Sequence, residues 1–463
     1  MGLQQARTAT GLDRRGANCD LALTVVREAL YAFPGRPGTG AAGWVRNRLL
    51  RPGTATPRGV TVIAKAGKTL DKLATVNGLR AFAILAVMYH HTGAWPSEGP
   101  FLPWTTLSIG PILHNGWTGV NLFFILSGFV LFLPYAKGTR NLATFGDATT
   151  FYRRRFWRLM PAYYVAALVL LVVTYFADHP VSFGRESLSL LTFSFVFSRY
   201  SFGPGYNPAL WSLGVEVLFS LAFPLLIIAV RRFGIWRLLW VVLVTSLIAR
   251  AVGRLWYPQF ECPHAISDNI TGRLDEFVLG MVVAHLYVRD LIGVRARHLL
   301  LPGIALILAA WFGYDGCRTR SWQVVLTAPL NNVLDAGLCA VLLAALSGRG
   351  VAVRFLSFVP LQVVGMMCYS LYLWQMPIGH WLAEDPSDSL TGLRLVWYVV
   401  LTFVVAALSY RFIEFGHVRD WRSLFLIPAR RRRAQAPNPA LDEAVPTAAL
   451  SSPQIVSAGT PDR

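Results

Sequence analysis

One apolar segment carries the two residues whose types and spacing best suit chemistry. Arg80 and His91 lie in a run of residues otherwise apolar enough to cross a membrane. Eleven residues at about 100° each make three helical turns plus roughly 20°, so both side chains share one helix face, about 16 Å apart. Ionisable residues inside a membrane are costly and therefore candidates for function. This pair suits a long ligand with an anionic head; the alternative is an arginine that snorkels to the lipid headgroups and a histidine that ends the helix.

The composition predicts that these residues belong to a polytopic membrane protein. Of 463 residues, 54% are hydrophobic and only 14% are charged, and apolar runs of spanning length recur along the chain. We predict an all-α integral membrane bundle of about ten transmembrane helices. The ten runs are 74–94, 116–136, 160–178, 209–230, 235–256, 273–289, 298–314, 328–347, 358–379 and 394–415. A shorter run, 188–197, is too brief to span and suits a re-entrant or interfacial helix.

Basic residues are concentrated in every second loop between these runs, for example at 153–158 and 231–237. By the positive-inside rule, both termini should be cytoplasmic in a multi-pass protein of the inner (plasma) membrane. The net charge of +19 follows from this bias and from basic tails that attract anionic membrane lipids. No nucleic-acid recognition motif accompanies the charge, so nucleic acid is not an expected partner.

The tails flank a single membrane domain. We expect a basic, largely disordered cytoplasmic extension at 1–73, the membrane domain at 74–415, and a basic, then Ala/Pro-rich, disordered cytoplasmic tail at 416–463. No Cys-x-x-Cys or Cys/His spacing indicates a metal site. Cys262 and Cys317 both fall in predicted outer loops, where they are either a disulfide pair or two unrelated thiols.

The predicted orientation allows depths to be compared between helices. Arg80 lies toward the cytoplasm and His91 toward the outer face, while Glu216, near the start of an inward-running helix, lies at a depth similar to that of His91. A carboxylate that orients a histidine is a recurring catalytic arrangement. The alternative is a structural Glu216 bonded to the backbone or to a loop arginine.

Polar residues in three other runs are further candidates. Asn121 lies toward the outer end of its run and is a candidate to line the site. Arg273 begins a run together with Asp275 and Glu276. Three charges at a helix entrance predict either a charge network on the surface or contact with an acceptor substrate at the outer opening of the bundle. Asp335 is a further intramembrane charge, and the sequence does not indicate its partner.

Several ordered motifs together resemble the family-3 membrane acyltransferases, multi-pass enzymes that acylate cell-envelope carbohydrates and related acceptors. The resemblance covers residues 74–415. The motifs are NGLRAFAILAVMYHH (77–91), GVNLFFILSGFVLF (119–132), FYRRRFWRLMPAYY (151–164), NPALWSLGVEVLFSLAFPLL (207–226), GRLDEFVLGM (272–281), YSLYLWQMPI (369–378) and SYRFIE (409–414). Each motif is weak alone, but their order and placement are specific.

The resemblance implies roles for particular residues. The family has a motif of a basic residue, ten further residues and a histidine that is the catalytic base. Arg80 and His91 match the two ends of this motif. Arg153, Arg155 and Arg158, together with Arg80, match cofactor-binding positions. Trp211, Ser212 and Glu216 match a WSL-x-x-E pattern, with the first two as substrate contacts.

The scheme that the resemblance implies has acyl-CoA as a co-substrate and no tightly bound cofactor. Acyl-CoA docks from the cytoplasm, its pantetheine arm reaches into the bundle, and a hydroxyl of a glycan or glycolipid enters from outside. His91 deprotonates that hydroxyl or accepts the acyl group first. The arginine cluster suits the polyanionic end of CoA.

Three positions depart from the family pattern. Asn77 stands where aspartate is common, Gln375 where many members have histidine, and Gly416 where proline is usual. None of these three positions is Arg80 or His91 itself. Two other functions stay open: a transporter that exports a lipid or glycan, with Arg80, Glu216 and Asp335 along its pathway, and a structural scaffold for envelope synthesis. Internal repeats would favour transport, and none is apparent.

Overall fold

The computed structural model describes residues 57–94, 108–177, 183–198, 203–204, 207–256, 265–291, 293–318, 325–347, 350–383 and 389–414. Within these ranges the chain is built from helices and contains no β-strand. The α-helices are α1 Pro57–His91, α2 Gly110–His114, α3 Gly119–Ala136, α4 Phe145–Ala177, α5 Phe183–Thr192, α6 Trp211–Phe233, α7 Ile235–Trp256, α8 Ile270–Val288, α9 Leu300–Arg318, α10 Thr327–Leu346, α11 Val351–Leu356, α12 Val359–Met366, α13 Cys368–Leu382 and α14 Gly392–Ser409. Short 3₁₀ turns join several of them, and a π-helix, Tyr410–Glu414, continues α14.

Seven helical stretches of the described chain are long and apolar enough to cross a membrane. They are Gly110–Ala136, Phe145–Phe176, Pro208–Phe233, Ile235–Trp256, Arg295–Cys317, Thr327–Leu346 and Gly392–Glu414. Each coincides with one of the ten predicted runs. The prediction of an all-α, multi-pass integral membrane protein is therefore confirmed.

The other three predicted runs fall in α1, in α8 and in the α12–α13 pair. Polar residues lower the hydropathy of α1, three charges enter α8 within its first two turns, and the third run is broken at Met367 between α12 and α13. Polar or interrupted helices are tolerated in a membrane where other helices surround them. Two of these segments carry candidate functional residues: Arg80 and His91 lie in α1, and Arg273 lies in α8.

Apolar side chains cover the outside of the bundle. Trp240 on α7 is 68% exposed, and Val172 on α4 and Val396 on α14 are each 55% exposed. Such residues face lipid tails at no hydrophobic penalty, whereas in water they would form an unusually large apolar surface. The exposed faces of α4, α7 and α14 are therefore the lipid-facing surface of the protein.

Glycines hold α1 against its neighbours. A Cβ atom on Gly119 would meet the carbonyl oxygen of Ala83, one on Gly116 that of Ala86, and one on Gly365 that of Asn77. Small residues at such crossings let helix backbones approach closely, which is how helices pack in lipid. Helix α1 is thus packed closely against its neighbours between Asn77 and Ala86, the part of the helix that includes Arg80.

Helices α3 and α8 pack through a reciprocal glycine contact. A Cβ on Gly128 would collide with the carbonyl oxygen of Phe277, and a Cβ on Gly280 with that of Ile125. Both neighbours are backbone atoms, which cannot move without displacing a whole helix. This contact sets the spacing at which polar residues of α3 and α8 meet.

We expect Gly128→Ala to lower the free energy of unfolding by about 1–3 kcal/mol, the usual range for overpacking a tight contact. Thermal unfolding of the purified full-length protein in detergent measures this. The matched control is Gly146→Ala near the start of α4, where the added carbon meets only Thr144 Oγ1 at 3.7 Å. A Gly128→Ala protein as stable as the control would contradict the packing described here.

The predicted short segment at 188–197 is helical but too short to span. Helix α5 ends at Thr192, and a 3₁₀ turn, Ser194–Phe197, follows a left-handed residue, Phe193, at φ 59°. The Tyr163 hydroxyl donates to the carbonyl oxygen of Leu190 at 2.6 Å, which attaches the segment to α4.

The predicted tails lie largely outside the described residues, which begin at Pro57 and end at Glu414. Helix α1 starts at Pro57, upstream of the predicted domain boundary at residue 73. Cys262, and with it the question of a disulfide to Cys317, also lies outside the described residues.

Candidate functional site

Helices α1, α13 and α14 bring together His91, Gln375 and Tyr398. The Nδ1 atom of His91 lies 3.0 Å from Oε1 of Gln375, and the Tyr398 hydroxyl donates to the same oxygen at 3.1 Å. Gln375 and Tyr398 are buried, whereas the His91 ring is half-buried. His91 is therefore held from inside the bundle while part of its surface stays open.

The contact with Gln375 determines which nitrogen of His91 carries the proton. In this structure the amide oxygen of Gln375 faces the ring; because such an oxygen only accepts hydrogen bonds, Nδ1 is the donor in this arrangement and the neutral ring has its lone pair on Nε2. A histidine in this tautomer can take a proton from another group through Nε2. The adjacent His90 has a different partner, since its Nδ1 lies 3.2 Å from the carbonyl oxygen of His114.

Glu216 lies elsewhere, and the structure corrects its expected pairing with His91. Its carboxylate forms an ion pair with Arg155 and accepts a hydrogen bond of 2.9 Å from the Ser127 hydroxyl. Arg155 is also held by Ser220, through Nε to Oγ at 2.9 Å. The alternative given for Glu216, a bond to an arginine of the basic loop, is the one observed.

The arginines that enter α4 do not all point the same way. Arg155 and Arg158, one turn apart, face the bundle, and Arg158 pairs with Glu414 at 2.6 Å between Nη1 and Oε1. Arg153 is exposed on another face of the helix. The structure therefore brings two of the three predicted arginines to the bundle and leaves the third on the surface.

Arg80 faces the same region from α1. It lies within electrostatic range of Glu414 and of Cys368, the first residue of α13. Glu414 also accepts a hydrogen bond of 3.1 Å from Ser370, and it ends a π-helix, a distortion found often at functional sites. Arg80, Arg155 and Arg158 thus converge with two carboxylates at the predicted cytoplasmic half of the bundle.

Asn121 and Arg273 belong to a buried polar network between α3, α8 and α10. Arg273 pairs with Glu276 at 2.8 Å, and the Asn121 amide nitrogen donates to Glu276 at 3.1 Å and to Asp335 at 3.0 Å. Asn331 donates to the other oxygen of Asp335 at 2.8 Å. Asp335 thereby gains the partners that the sequence did not indicate. All five side chains are buried, which corrects the expectation of a surface network or an open outer mouth here.

The network continues through two more ion pairs. Arg273 also binds Asp268, and Arg250 binds Asp275 through both carboxylate oxygens, at 2.9 and 2.6 Å. Oxygens of Asp275, Glu276 and Asp335 lie within 4.8 Å of one another. Guanidinium groups bind Asp275 and Glu276, and side-chain amides bind Asp335, so these carboxylates belong to a structural polar network rather than to a set of open metal ligands.

Trp211 and Ser212 link this network to α13. The Arg273 guanidinium lies 5.7 Å from the ring centroid of Trp211. The Ser212 hydroxyl lies 2.6 Å from that of Tyr372, which donates to the carbonyl oxygen of Ala209. Tyr372 is one turn before Gln375, so Ser212 is held near the helix that supports His91 without contacting the histidine itself.

Sequence reasoning missed Gln375, Tyr398 and Glu414 as site residues. Gln375 and Glu414 lie in motifs that carry the family resemblance, and Gln375 differs from the usual histidine there. That substitution was a usable signal. A polar residue that replaces a common histidine in a motif of the family is a candidate partner for His91, the candidate base. Tyr398 gave no signal in an apolar run.

The helices of this bundle enclose a half-buried histidine and, separately, a cluster of arginines and carboxylates. The protein is therefore a polytopic membrane protein with an internal polar site. Comparison with known proteins identifies the class. The family described as an acyltransferase domain, family 3, matches residues 73–411, and the chain belongs to this family.

Three relatives illustrate the range of similarity. The chain is 28% identical over 406 residues to the acyltransferase MdmB of Streptomyces mycarofaciens, covering 81% of this chain and 97% of the relative. It is 25% identical over 374 residues to the O-acetyltransferase OatA of Staphylococcus aureus, covering 73% of this chain and 56% of the relative. For the peptidoglycan O-acetyltransferase OatA of Listeria monocytogenes the identity is 23% over 366 residues, covering 73% and 55%.

The chain therefore spans about half the length of the OatA relatives (56% and 55%) and nearly all (97%) of MdmB. No solved structure matches the chain.

Proposed function

We propose that this protein transfers an acyl group from cytoplasmic acyl-CoA to a hydroxyl of a sugar-containing envelope lipid, polysaccharide or secreted metabolite. His91 acts as the general base. The observation that carries the proposal is the hydrogen bond of 3.0 Å from His91 Nδ1 to Gln375 Oε1, which leaves Nε2 as a proton acceptor inside a membrane bundle.

The reaction balances without a further reactant. Nε2 of His91 removes the proton of the acceptor hydroxyl as its oxygen attacks the thioester carbonyl carbon. The new C–O ester bond forms, the C–S bond breaks, and the CoA thiolate leaves with the electron pair. The proton held by His91 then passes to the thiolate or to solvent, which restores the neutral ring.

The arginine cluster supports acyl-CoA as the donor. Arg80 and His91 lie on one face of α1, with Arg155 and Arg158 directed into the same half of the bundle as Arg80. CoA carries its phosphates at one end and its thioester at the other, joined by the pantetheine arm. The separation of about 16 Å expected for eleven helical residues suits that arm.

The relatives suggest the acceptor class. Two of them are named O-acetyltransferases, one of them for peptidoglycan, and these names favour an envelope carbohydrate hydroxyl as acceptor and acetyl among the candidate acyl groups. MdmB, named only as an acyltransferase, is consistent with a wider range of acceptors, including secreted metabolites.

Comparative mass spectrometry tests this function directly. Envelope glycolipids, polysaccharides and secreted metabolites are compared between cells with the gene, cells without it, and cells complemented with it. We expect products heavier by one acyl group only where the gene is present. Products that stay fully acylated without the gene but change location would instead indicate an exporter of a lipid or glycan.

We expect Arg158→Ala to raise KM for acyl-CoA by about tenfold or more, because a charged hydrogen bond to phosphate contributes roughly 1.5–3 kcal/mol and 1.4 kcal/mol is tenfold. The same variant should barely change KM for an acyl-pantetheine thioester, which lacks the nucleotide phosphates. Initial rates with both donors, measured on full-length protein in proteoliposomes, provide the comparison.

The control for this prediction is Arg237→Ala, which removes an exposed arginine of α7. It should leave KM for both donors unchanged. An equal rise for acyl-CoA and acyl-pantetheine in Arg158→Ala would mean that Arg158 does not bind the phosphates.

A further inference from the structure

Gln375 is the one side chain that hydrogen-bonds the candidate base among the described residues. Its Oε1 atom accepts from His91 Nδ1 at 3.0 Å and from the Tyr398 hydroxyl at 3.1 Å, so both lone pairs of that oxygen are used. Gln375 is 0% exposed. Substrate therefore does not reach it in this structure, and any effect it has on the reaction acts through His91.

From this geometry we propose that Gln375 is the positioning residue of the acyl-transfer site. It holds His91 in the tautomer with the proton on Nδ1 and the lone pair on Nε2. This inference rests on the proposed function, in which His91 is the base. It extends that function by assigning a role to a position where the chain departs from the histidine that is common in the family.

Tyr398 fixes Gln375 in turn. Its hydroxyl is within 3.4 Å of the carbonyl oxygen of Met88 on α1, so the tyrosine contacts both helices that carry the pair. The ring is buried between them. Helices α1, α13 and α14 therefore set the orientation of the imidazole together.

A neutral amide has a specific chemical consequence at this position. A carboxylate on Nδ1–H would stabilise the protonated ring, whereas the glutamine oxygen fixes the tautomer without adding a charge. The groups that face His91 from the surrounding elements are His90, with ring centroids 5.5 Å apart, His380 on α13, and Tyr398 on α14. None of these is an anion near neutral pH, so Gln375 determines whether the base has a charged partner.

Three substitutions at Gln375 test the proposal. We expect Gln375→Leu to lower kcat by about 10- to 100-fold, the loss found when the orienting partner of a metal-bound histidine is removed, with KM nearly unchanged. Gln375→Glu should retain transfer but move the acidic limb of the kcat/KM profile to higher pH by about one unit or more, because its carboxylate stabilises the protonated ring. Gln375→His, the residue common in the family, should restore part of the activity lost in Gln375→Leu.

The matched control is Gln362→Leu. Gln362 is also a buried glutamine that bonds to α1, through Nε2 to the carbonyl oxygen of Ala74 at 2.6 Å, but it lies far along the helix from His91. Its loss should reduce stability without moving the pH profile. If Gln375→Leu does not fold, the pH shift in Gln375→Glu decides the question alone.

The results separate this proposal from the function on which it rests. Normal transfer by His91→Ala would overturn the proposed base and the positioning role together. Loss of transfer in His91→Ala with wild-type kcat in Gln375→Leu, or with an unshifted profile in Gln375→Glu, would overturn only the role of Gln375.

Discussion

His91→Ala is expected to lower kcat for acyl transfer by about 10²- to 10⁴-fold, the usual contribution of a positioned general base. The variant removes Nε2, the proton acceptor that the contact of Nδ1 with Gln375 leaves free. Binding of acyl-CoA should change little, since the arginines that face the predicted cytoplasmic half stay in place. Single-turnover transfer of a labelled acyl group by full-length protein in proteoliposomes measures the chemical step.

The adjacent histidine provides a matched control. His90 has the same side chain on the same helix, but its Nδ1 lies 3.2 Å from the carbonyl oxygen of His114 and not from Gln375. His90→Ala should therefore lose stability slightly and keep most of its transfer rate. Equal losses in both variants would indicate a structural role for this end of α1, and an active His91→Ala protein would remove His91 as the base.

Arg273→Met is expected to lower the free energy of unfolding by about 3–5 kcal/mol, because breaking a buried ion pair from one side leaves an uncompensated charge. Arg273 is 4% exposed and binds both Asp268 and Glu276. Methionine keeps much of the volume of arginine but none of its hydrogen bonds. The protein is heated in detergent, and size-exclusion chromatography measures the fraction that stays monodisperse at each temperature. The shift of this curve reports the change in stability.

Two further variants make the source of this effect clear. Arg289→Met removes an exposed arginine just beyond the end of the same helix and should change stability by less than about 1 kcal/mol. Adding Glu276→Gln to Arg273→Met neutralises one of the carboxylates left alone and should recover part of the loss. An Arg273→Met protein as stable as Arg289→Met would show that the network does not hold α3, α8 and α10 together.

The network also explains why a second substrate is not expected at Asn121 or Arg273. Both side chains are buried and bonded within the network, and opening them to a ligand would expose carboxylates without partners. From the sequence alone these residues are interpreted as a binding site, because polar and charged residues are rare in membrane helices and often functional there. In the folded protein the same residues are buried and join three helices.

Local periodicity in the sequence predicted much of the fold. Apolar runs predicted the seven spanning stretches because a helix must be apolar over the part that crosses the hydrocarbon core. Helical phase placed Arg80 and His91 on one face of α1, since both belong to one continuous helix. The motifs of residues 74–415 also indicated the family that matches residues 73–411.

Partners between helices were decided by the tertiary structure. His91 pairs with Gln375, 284 positions later. Glu216 pairs with Arg155, whose long side chain reaches into the bundle from the N-terminal third of α4. Depth inferred from loop charges placed Glu216 near His91, but depth alone does not say which helices are neighbours. Close glycine contacts, such as Gly128 on Phe277 and Gly365 on Asn77, decide that neighbourhood.

The sequence by itself determined that this chain is a helical membrane protein with a cation and a candidate base on one helix face. Only the tertiary structure decided that the base is held by a buried glutamine and that the charged residues of α8 are structural. The physical reason is that periodicity and hydropathy depend on residues one or two turns apart. A hydrogen bond between helices depends on packing and tilt, to which the whole bundle contributes.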